Sequence, residues 1–151
     1  MYIEQYWGNY IGGSDDSLTL MEYLASKPLE LTVGEIFSDI GFSGNAQTES
    51  LSVEMDGFDV DFQSVICVIA DLAALLLECK INGSVDLGEL WEELDGALTL
   101  TATVEEHDMI NAALKGFAES PMDHDISEMM DEDELQEMVE QCSALRQELY
   151  G

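Results

Sequence analysis

The chain has 151 residues, of which 33 are Asp or Glu and only four are Lys or Arg, and its formal net charge at pH 7 is −29. Because 46% of the residues are hydrophobic, the chain can build a core, which excludes an acidic disordered tail. A negative field of this size repels nucleic acid and acidic membranes. The charge therefore indicates a folded surface that keeps the protein soluble or captures a basic partner. The length suits one domain over residues 1–151.

The first part of the chain predicts two short helices. Ser14 and the two aspartates after it offer N-cap oxygens to a first helix, which Pro28 ends. A second helix is predicted to begin at Thr32, where Glu35 completes a capping box, and to end at Gly41.

A β-hairpin is predicted next. Apolar and polar residues alternate over residues 51–55 and again over residues 58–62. The Asp56-Gly57 pair between them suits a type I′ turn. Asp61 is placed to cap the helix that follows.

The most hydrophobic element is a helix predicted to begin at Val65 and to end at Asn82-Gly83. Its apolar stretch extends nearly all round the helix but is too short to cross a bilayer, so it predicts a core helix. Asp71 lies within this stretch. A buried carboxylate without a partner is costly, so we expect Asp71 to have a structural partner.

A short amphipathic helix is predicted from four apolar residues at helical spacing: Leu87, Leu90, Trp91 and Leu94. This helix would present an acidic face to water, made of Glu89, Glu92 and Glu93. Gly96 ends it.

One strand and two helices complete the chain. The strand is predicted over residues 98–102, where apolar residues alternate with threonines. Thr103 and Glu106 form a capping box for a helix that Pro121 stops, and a last helix is predicted over about 131–150. The order of elements predicts a small α+β domain that is mostly helical, with a hairpin and one further strand.

The outer face of the last helix carries three acidic residues with no lysine among them. Asp133, Glu137 and Glu140 are spaced four and three residues apart, so like charges are neighbours, and no lysine lies between them. Such pairs each destabilise a helix by a few tenths of a kcal/mol. A face that served solubility alone would mix charges of both signs, so this face favours a role in binding.

Metal ligands and catalytic groups are weakly indicated. Residues 123–134 have the acidic spacing of a calcium loop, but Glu128 stands where that loop requires glycine, so an acidic connection is predicted instead. His107 and His124 have no zinc-like spacing. Ser14 and Ser17 have no histidine nearby in sequence and are predicted to cap a helix. We predict no catalytic, cofactor or metal site.

The cysteines are predicted to be reduced. Cys67, Cys79 and Cys142 are odd in number and lie on apolar faces, as core residues do. A reducing cytoplasm is therefore the expected location.

Two stretches carry a family resemblance: YWGNYIGGSDDSL at residues 6–18 and DLAALLLECK at residues 71–80. They resemble small acidic immunity proteins of bacterial polymorphic toxin systems. The resemblance implies a cytoplasmic, non-enzymatic protein that binds a toxin domain and blocks its active site or substrate path. It carries over no particular binding residues.

The composition independently favours a basic protein partner, because complementary charge speeds association. The residues predicted to bind it are the two acidic faces and two aromatic anchors: Asp133, Glu137, Glu140, Glu89, Glu92, Glu93, Trp91 and Tyr150. Tyr6 and Tyr10, near the Gly12-Gly13 turn, are further candidate anchors. Two other functions stay open: a nucleic-acid mimic that docks on a host DNA-binding protein, and a calcium-binding module.

Overall fold

The computed structural model describes residues 2–8, 10–47 and 49–151, so Asn9, which lies in the first resembling stretch, is outside the described residues. Over these ranges the helices are α1 (Asp15–Ala25), α2 (Val33–Ile40), α3 (Val65–Asn82), α4 (Leu87–Leu90), α5 (Val104–Glu119) and α6 (Glu132–Tyr150). The strands are β1 (Glu30–Thr32), β2 (Ser52–Met55), β3 (Phe58–Asp61), β4 (Val85–Asp86) and β5 (Ala97–Thr101). Short 3₁₀ turns occupy Tyr2–Gln5, Pro121–Asp123 and Asp125–Glu128.

The predicted helix starts are confirmed by the side chains that cap them. Ser14 accepts a hydrogen bond from the backbone N–H of Ser17 at 3.1 Å and caps α1. Capping boxes at Thr32 and at Thr103 open α2 and α5. Each box pairs two donors that would otherwise lack partners, so a local sequence signal is enough to fix where the helix begins.

Helix α3 forms the centre of the core. Its residues from Val65 to Glu78 are all buried, and α1, α5, α6 and β5 pack around it. A helix that is apolar all round is stable only when neighbours cover every side, so the other elements arrange themselves about it. In the described part of the chain, no helix is long and apolar enough to span a membrane.

The strand predicted near residues 98–102 is the middle strand of a small mixed sheet. β5 pairs with β1 in parallel and with β4 in antiparallel orientation. The predicted hairpin is formed by β2 and β3, and its turn residues Asp56 and Gly57 have φ of 53° and 82°, as a type I′ turn requires. The fold class is confirmed as a mostly helical α+β domain.

The amphipathic helix predicted from Leu87 to Leu94 is wrong in extent. α4 is a single turn that ends at Leu90, and Trp91 is extended, with φ −149° and ψ 112°. The backbone N–H of Leu87 donates to the carbonyl of Gly96 at 2.9 Å, so the chain must turn back at once to pair β4 with β5. A helix this short has too few hydrogen bonds to persist against that pairing.

The predicted capping role of Asp61 is also wrong. Asp61 ends β3, and the N-cap of α3 is Ser64, which makes no side-chain cap hydrogen bond. The two residues just before α3 are instead held by Asp16 of α1, whose carboxylate accepts from the backbone N–H groups of Gln63 and Ser64 at 2.7 Å each. A carboxylate at a helix N-terminus is stabilised by the helix dipole, whichever element supplies it.

Candidate partner-binding groove and acidic faces

A glycine turn, residues 10–13, holds the indole of Trp7. Gly12 has φ +78°, and a Cβ atom at that position would lie 2.2 Å from Cδ2 of Trp7. Only glycine therefore allows the ring to lie directly on the backbone here. The backbone N–H of Gly8 donates to the carbonyl of Ile11 at 2.8 Å, which closes the loop that carries Trp7.

The glycine turn is tied to the core by Asp71. This carboxylate is fully buried in α3 and accepts from the backbone N–H of Gly12 at 2.7 Å and from Oγ of Ser17 at 2.5 Å. Burial raises the pKa of Asp71 to about 7, which the two hydrogen bonds only partly offset. The expectation that Asp71 has a structural partner is confirmed, and the partner is the turn that positions Trp7.

Trp91 is held by its backbone at the end of α4. Its N–H donates to the carbonyl of Leu87 at 2.9 Å, and its own carbonyl accepts from the N–H of Leu94 at 3.0 Å. The side chain is half-buried, whereas Glu92 and Glu93 beside it are exposed. Because the backbone of Trp91 is extended, its side chain points in a different direction from the one it would have in a continued helix.

Between these two segments lies an open groove of about 400 Å³. One wall is formed by Trp7, Gly8, Gly12 and Gly13, and the other by residues 90–93. The structure thus brings together the glycine turn and the Trp91 segment, which sequence reasoning treated as separate candidates. It also adds Trp7, which sequence reasoning missed. The sequence signal that could have indicated Trp7 is the glycine five residues after it, because a residue without a side chain lets an aromatic ring pack directly on the backbone.

The acidic face of α6 adjoins the same turn. Asp133, Glu137 and Glu140 are exposed, as predicted. Tyr10 donates its hydroxyl hydrogen to Oε2 of Glu137 at 2.5 Å, and this bond raises the pKa of Tyr10 to about 12. The glycine turn therefore contacts α6 through Tyr10 and lines the groove through Gly12. The predicted second acidic face of Glu89, Glu92 and Glu93 is not a helical face, because α4 ends at Leu90.

Two other predicted anchors lie apart from the groove lining. Tyr150 is half-buried against the core, its hydroxyl is 3.0 Å from Nδ1 of His107, and burial raises its pKa. It stands about 20 Å along α6 from Glu137, at 1.5 Å per residue. Tyr6 is also partly buried against the core. Neither contact shows a partner surface, so their role in binding stays a prediction.

Two carboxylates of the calcium-like segment, Asp131 and Glu134, form the capping box of α6. Two 3₁₀ turns replace the loop, and Asp131 accepts from the backbone N–H of Glu134 at 2.8 Å as the cap of α6. Within the ranges that the structure describes, no three His, Cys, Asp or Glu side chains are grouped so that they could hold a metal ion. The calcium-module alternative therefore gains no support.

The cysteines are free, and Cys67 and Cys142 are buried. Burial raises the pKa of the Cys67 thiol to about 12, so it is protonated at neutral pH. These thiols pack as small apolar side chains.

The groove has two tryptophans in its lining, a residue type that is enriched at protein interfaces, and two glutamates beside them. The family model described as Immunity protein 68 matches residues 2–149. The chain belongs to the Immunity protein 68 family. No curated protein and no solved structure gives a significant match.

Proposed function

We propose that this protein neutralises a toxin domain by binding it directly and covering its active site or substrate path. Membership of an immunity-protein family is the observation that carries the proposal. We further propose that the toxin surface is basic and that neutralisation takes place in the cytoplasm of the cell that makes both proteins. The basic character of the partner follows from the charge of this chain.

The chain's own cations do little to neutralise its acidic surface. Each of the four Lys and Arg side chains has a partner within the chain: Lys27 with Asp39 at 3.7 Å, Lys115 with Glu119 at 4.0 Å, Lys80 with the carbonyl of Leu149 at 3.4 Å, and Arg146 with Asn111 at 2.6 Å. Residues 123–140 contain no Lys or Arg. The acidic side of α6 is thus left to attract cations from outside, which favours fast capture of a basic protein.

The groups that most resemble catalytic residues have structural roles. Ser17 donates to Asp71, His107 contacts Tyr150, and His124 is buried with Nδ1 3.0 Å from the carbonyl of Ser120. A serine nucleophile requires a base within hydrogen-bonding reach, and Ser17 has a carboxylate partner that serves the fold. This arrangement supports inhibition by binding rather than by catalysis.

We expect the gene next to the one for this protein to encode the toxin domain, and co-expression of the two proteins tests the function. We expect growth to be restored by this protein and not by an immunity protein of another family. A protein that mimics nucleic acid on a host regulator would leave the toxin active, so growth would stay arrested. That result would contradict the proposal and favour the mimic.

The acidic face of α6 predicts how the toxin is captured. Asp133→Lys with Glu140→Lys is expected to slow association about tenfold at low salt and to flatten its salt dependence, because exposed charges at the edge of an interface act mainly on the association rate. Glu137 is left intact because it bonds Tyr10. The measurement is surface plasmon resonance with the toxin domain at two salt concentrations.

A matched control changes the same net charge on the β2–β3 hairpin. Glu54 and Asp59 are exposed and face each other across the hairpin, so Glu54→Lys with Asp59→Lys alters charge outside α6 and the groove. We expect this variant to associate nearly as fast as the parent. Equal slowing by the two variants would mean that net charge alone matters, and no slowing by either would place the interface elsewhere.

A further inference from the structure

We infer that the groove between Trp7 and Trp91 receives a cationic side chain, an arginine in the first instance, from the toxin domain. This inference rests on the proposed function and names the contact by which the toxin is anchored. It assigns the groove a ligand chemistry, whereas the acidic face of α6 acts at longer range.

The walls of the groove suit a flat cation. Trp7 and Trp91 both line the groove, and both are partly buried against the core. The face of a tryptophan ring carries negative potential and attracts a guanidinium or ammonium group, with tryptophan the strongest of the aromatic residues in this respect. Arginine fits best because its planar group stacks on rings and is only weakly hydrated.

The edge of the groove supplies the counter-charge. Glu92 and Glu93 line it and are exposed, and neither forms an ion pair among the residues that the structure describes. A guanidinium can donate two parallel hydrogen bonds to a carboxylate while its plane rests on a ring. A cation gains attraction from both exposed carboxylates, whereas a neutral apolar side chain gains none, so the charge of the lining favours a cation.

The groove is formed before its ligand arrives. Asp71 holds the backbone of Gly12, and the Trp7 ring packs on Gly12. Two hydrogen bonds hold the backbone of Trp91, whose side chain packs against the core. A site whose walls are already ordered loses little conformational entropy on binding. Rings held in this way favour slow dissociation, which complements the fast capture expected from the α6 face.

The test uses the only two tryptophans in the sequence as reporters. Their indole N–H signals in a ¹H–¹⁵N NMR spectrum both come from the groove lining. The probe is N-acetyl-arginine amide, and its neutral counterpart is N-acetyl-citrulline amide, which has nearly the same shape without the charge. We expect both indole signals to shift and to saturate with the arginine probe at millimolar concentrations, and to shift much less with the citrulline probe.

Two neutralised variants locate the charge that matters. Glu92→Gln with Glu93→Gln is expected to weaken binding of the arginine probe at least about threefold, because the paired carboxylates are lost. Glu54→Gln with Asp59→Gln removes the same charge from the hairpin and is expected to leave binding unchanged. Equal shifts with both probes, or equal weakening in both variants, would overturn the inference.

The same contact is then measured in the complex. Trp91→Ala is expected to raise the dissociation rate of the toxin complex about 30-fold, as loss of a central aromatic anchor does. If this variant melts at a markedly lower temperature, the Glu92 and Glu93 variant carries the test, with faster dissociation expected and an unchanged rate contradicting the groove contact. Growth protection without any indole response would reject the groove alone, whereas an indole response without protection would reject the proposed function.

Discussion

Replacing Asp71 with alanine is expected to lower the free energy of unfolding by about 2–4 kcal/mol at pH 6, because two buried donors lose their acceptor. These donors are the backbone N–H of Gly12 and the hydroxyl of Ser17. The removed side chain also leaves a small cavity beside α3. Urea unfolding followed by circular dichroism measures the change.

Asp71→Asn is the matched control, because its amide can accept from Gly12 and donate to Ser17. It separates the loss of hydrogen bonds from the loss of a titrating group. We expect it to retain most of the stability that the alanine variant loses. If Asn and Ala are equally destabilising at pH 6, the two hydrogen bonds to Asp71 do not explain its role.

The asparagine variant also predicts a change in pH dependence. The pKa of Asp71 is about 7 in the folded protein and has its ordinary value near 4 in the unfolded chain. The stability that Asp71 contributes is therefore complete below about pH 4 and is lost as the pH rises to about 7, by at most about 1.4 kcal/mol per pH unit. The stability of Asp71→Asn relative to the parent should therefore increase from about pH 4 to about pH 7 and stay constant above that range.

Asp16 makes this comparison necessary. Burial also raises the pKa of Asp16, so the parent has a second group whose effect has the same sign. Asp16 is present in both proteins, and its effect largely cancels when the variant is compared with the parent. A stability difference that stays constant from pH 4 to pH 8 would show that Asp71 does not titrate as its burial implies.

Gly12→Ala is expected to lower the free energy of unfolding by about 3 kcal/mol and to displace the Trp7 ring. A methyl group cannot lie 2.2 Å from Cδ2 of Trp7, and φ of +78° adds roughly 1–2 kcal/mol of backbone strain. Because the Trp7 ring must move away from residue 12, we also expect tryptophan fluorescence to shift to longer wavelength and the groove to lose affinity for the arginine probe.

Gly41→Ala isolates the ring clash from the backbone strain. Gly41 has φ +83° with no neighbouring atom within 4 Å of an added Cβ, so only the strain applies there. We expect a loss of about 1 kcal/mol, with tryptophan emission unchanged. If the two glycine variants lose equal stability and both keep the parent emission, Gly12 does not position Trp7.

The parts of the fold that sequence reasoning predicted correctly depend on local chemistry. The capping boxes at Thr32 and Thr103 and the turn at Asp56-Gly57 each require only neighbouring residues. The buried position of α3 follows from its apolar surface on all sides. These features constrain the chain before any distant segment is in place.

The features that sequence reasoning missed or predicted wrongly depend on contacts between residues that are distant in sequence. β1 and β4 have three and two residues, too few to show an alternating pattern, and they are strands only because β5 lies between them. Their pairing also shortens α4 and leaves Trp91 extended. Asp16 accepts from the backbone of Gln63, just before α3, from 47 residues away, which no local motif reveals.

The candidate site shows the same division. Exposure of the α6 acids was predictable from helical spacing. The groove was not predictable, because it joins Gly12 and Trp91, which are distant in sequence. The Asp71 carboxylate that holds Gly12 is visible in the sequence only as a charged residue in an apolar stretch.

Inhibition by direct binding is tested most directly by titration calorimetry of the purified toxin domain with this protein at low ionic strength, alongside the toxin's activity. We expect a stoichiometric complex whose affinity falls as salt rises, with activity lost in step with occupancy and regained when the complex is separated. Absence of binding at low salt would contradict this expectation. So would a toxin that stays inactive after this protein is removed, since that would indicate covalent modification rather than binding.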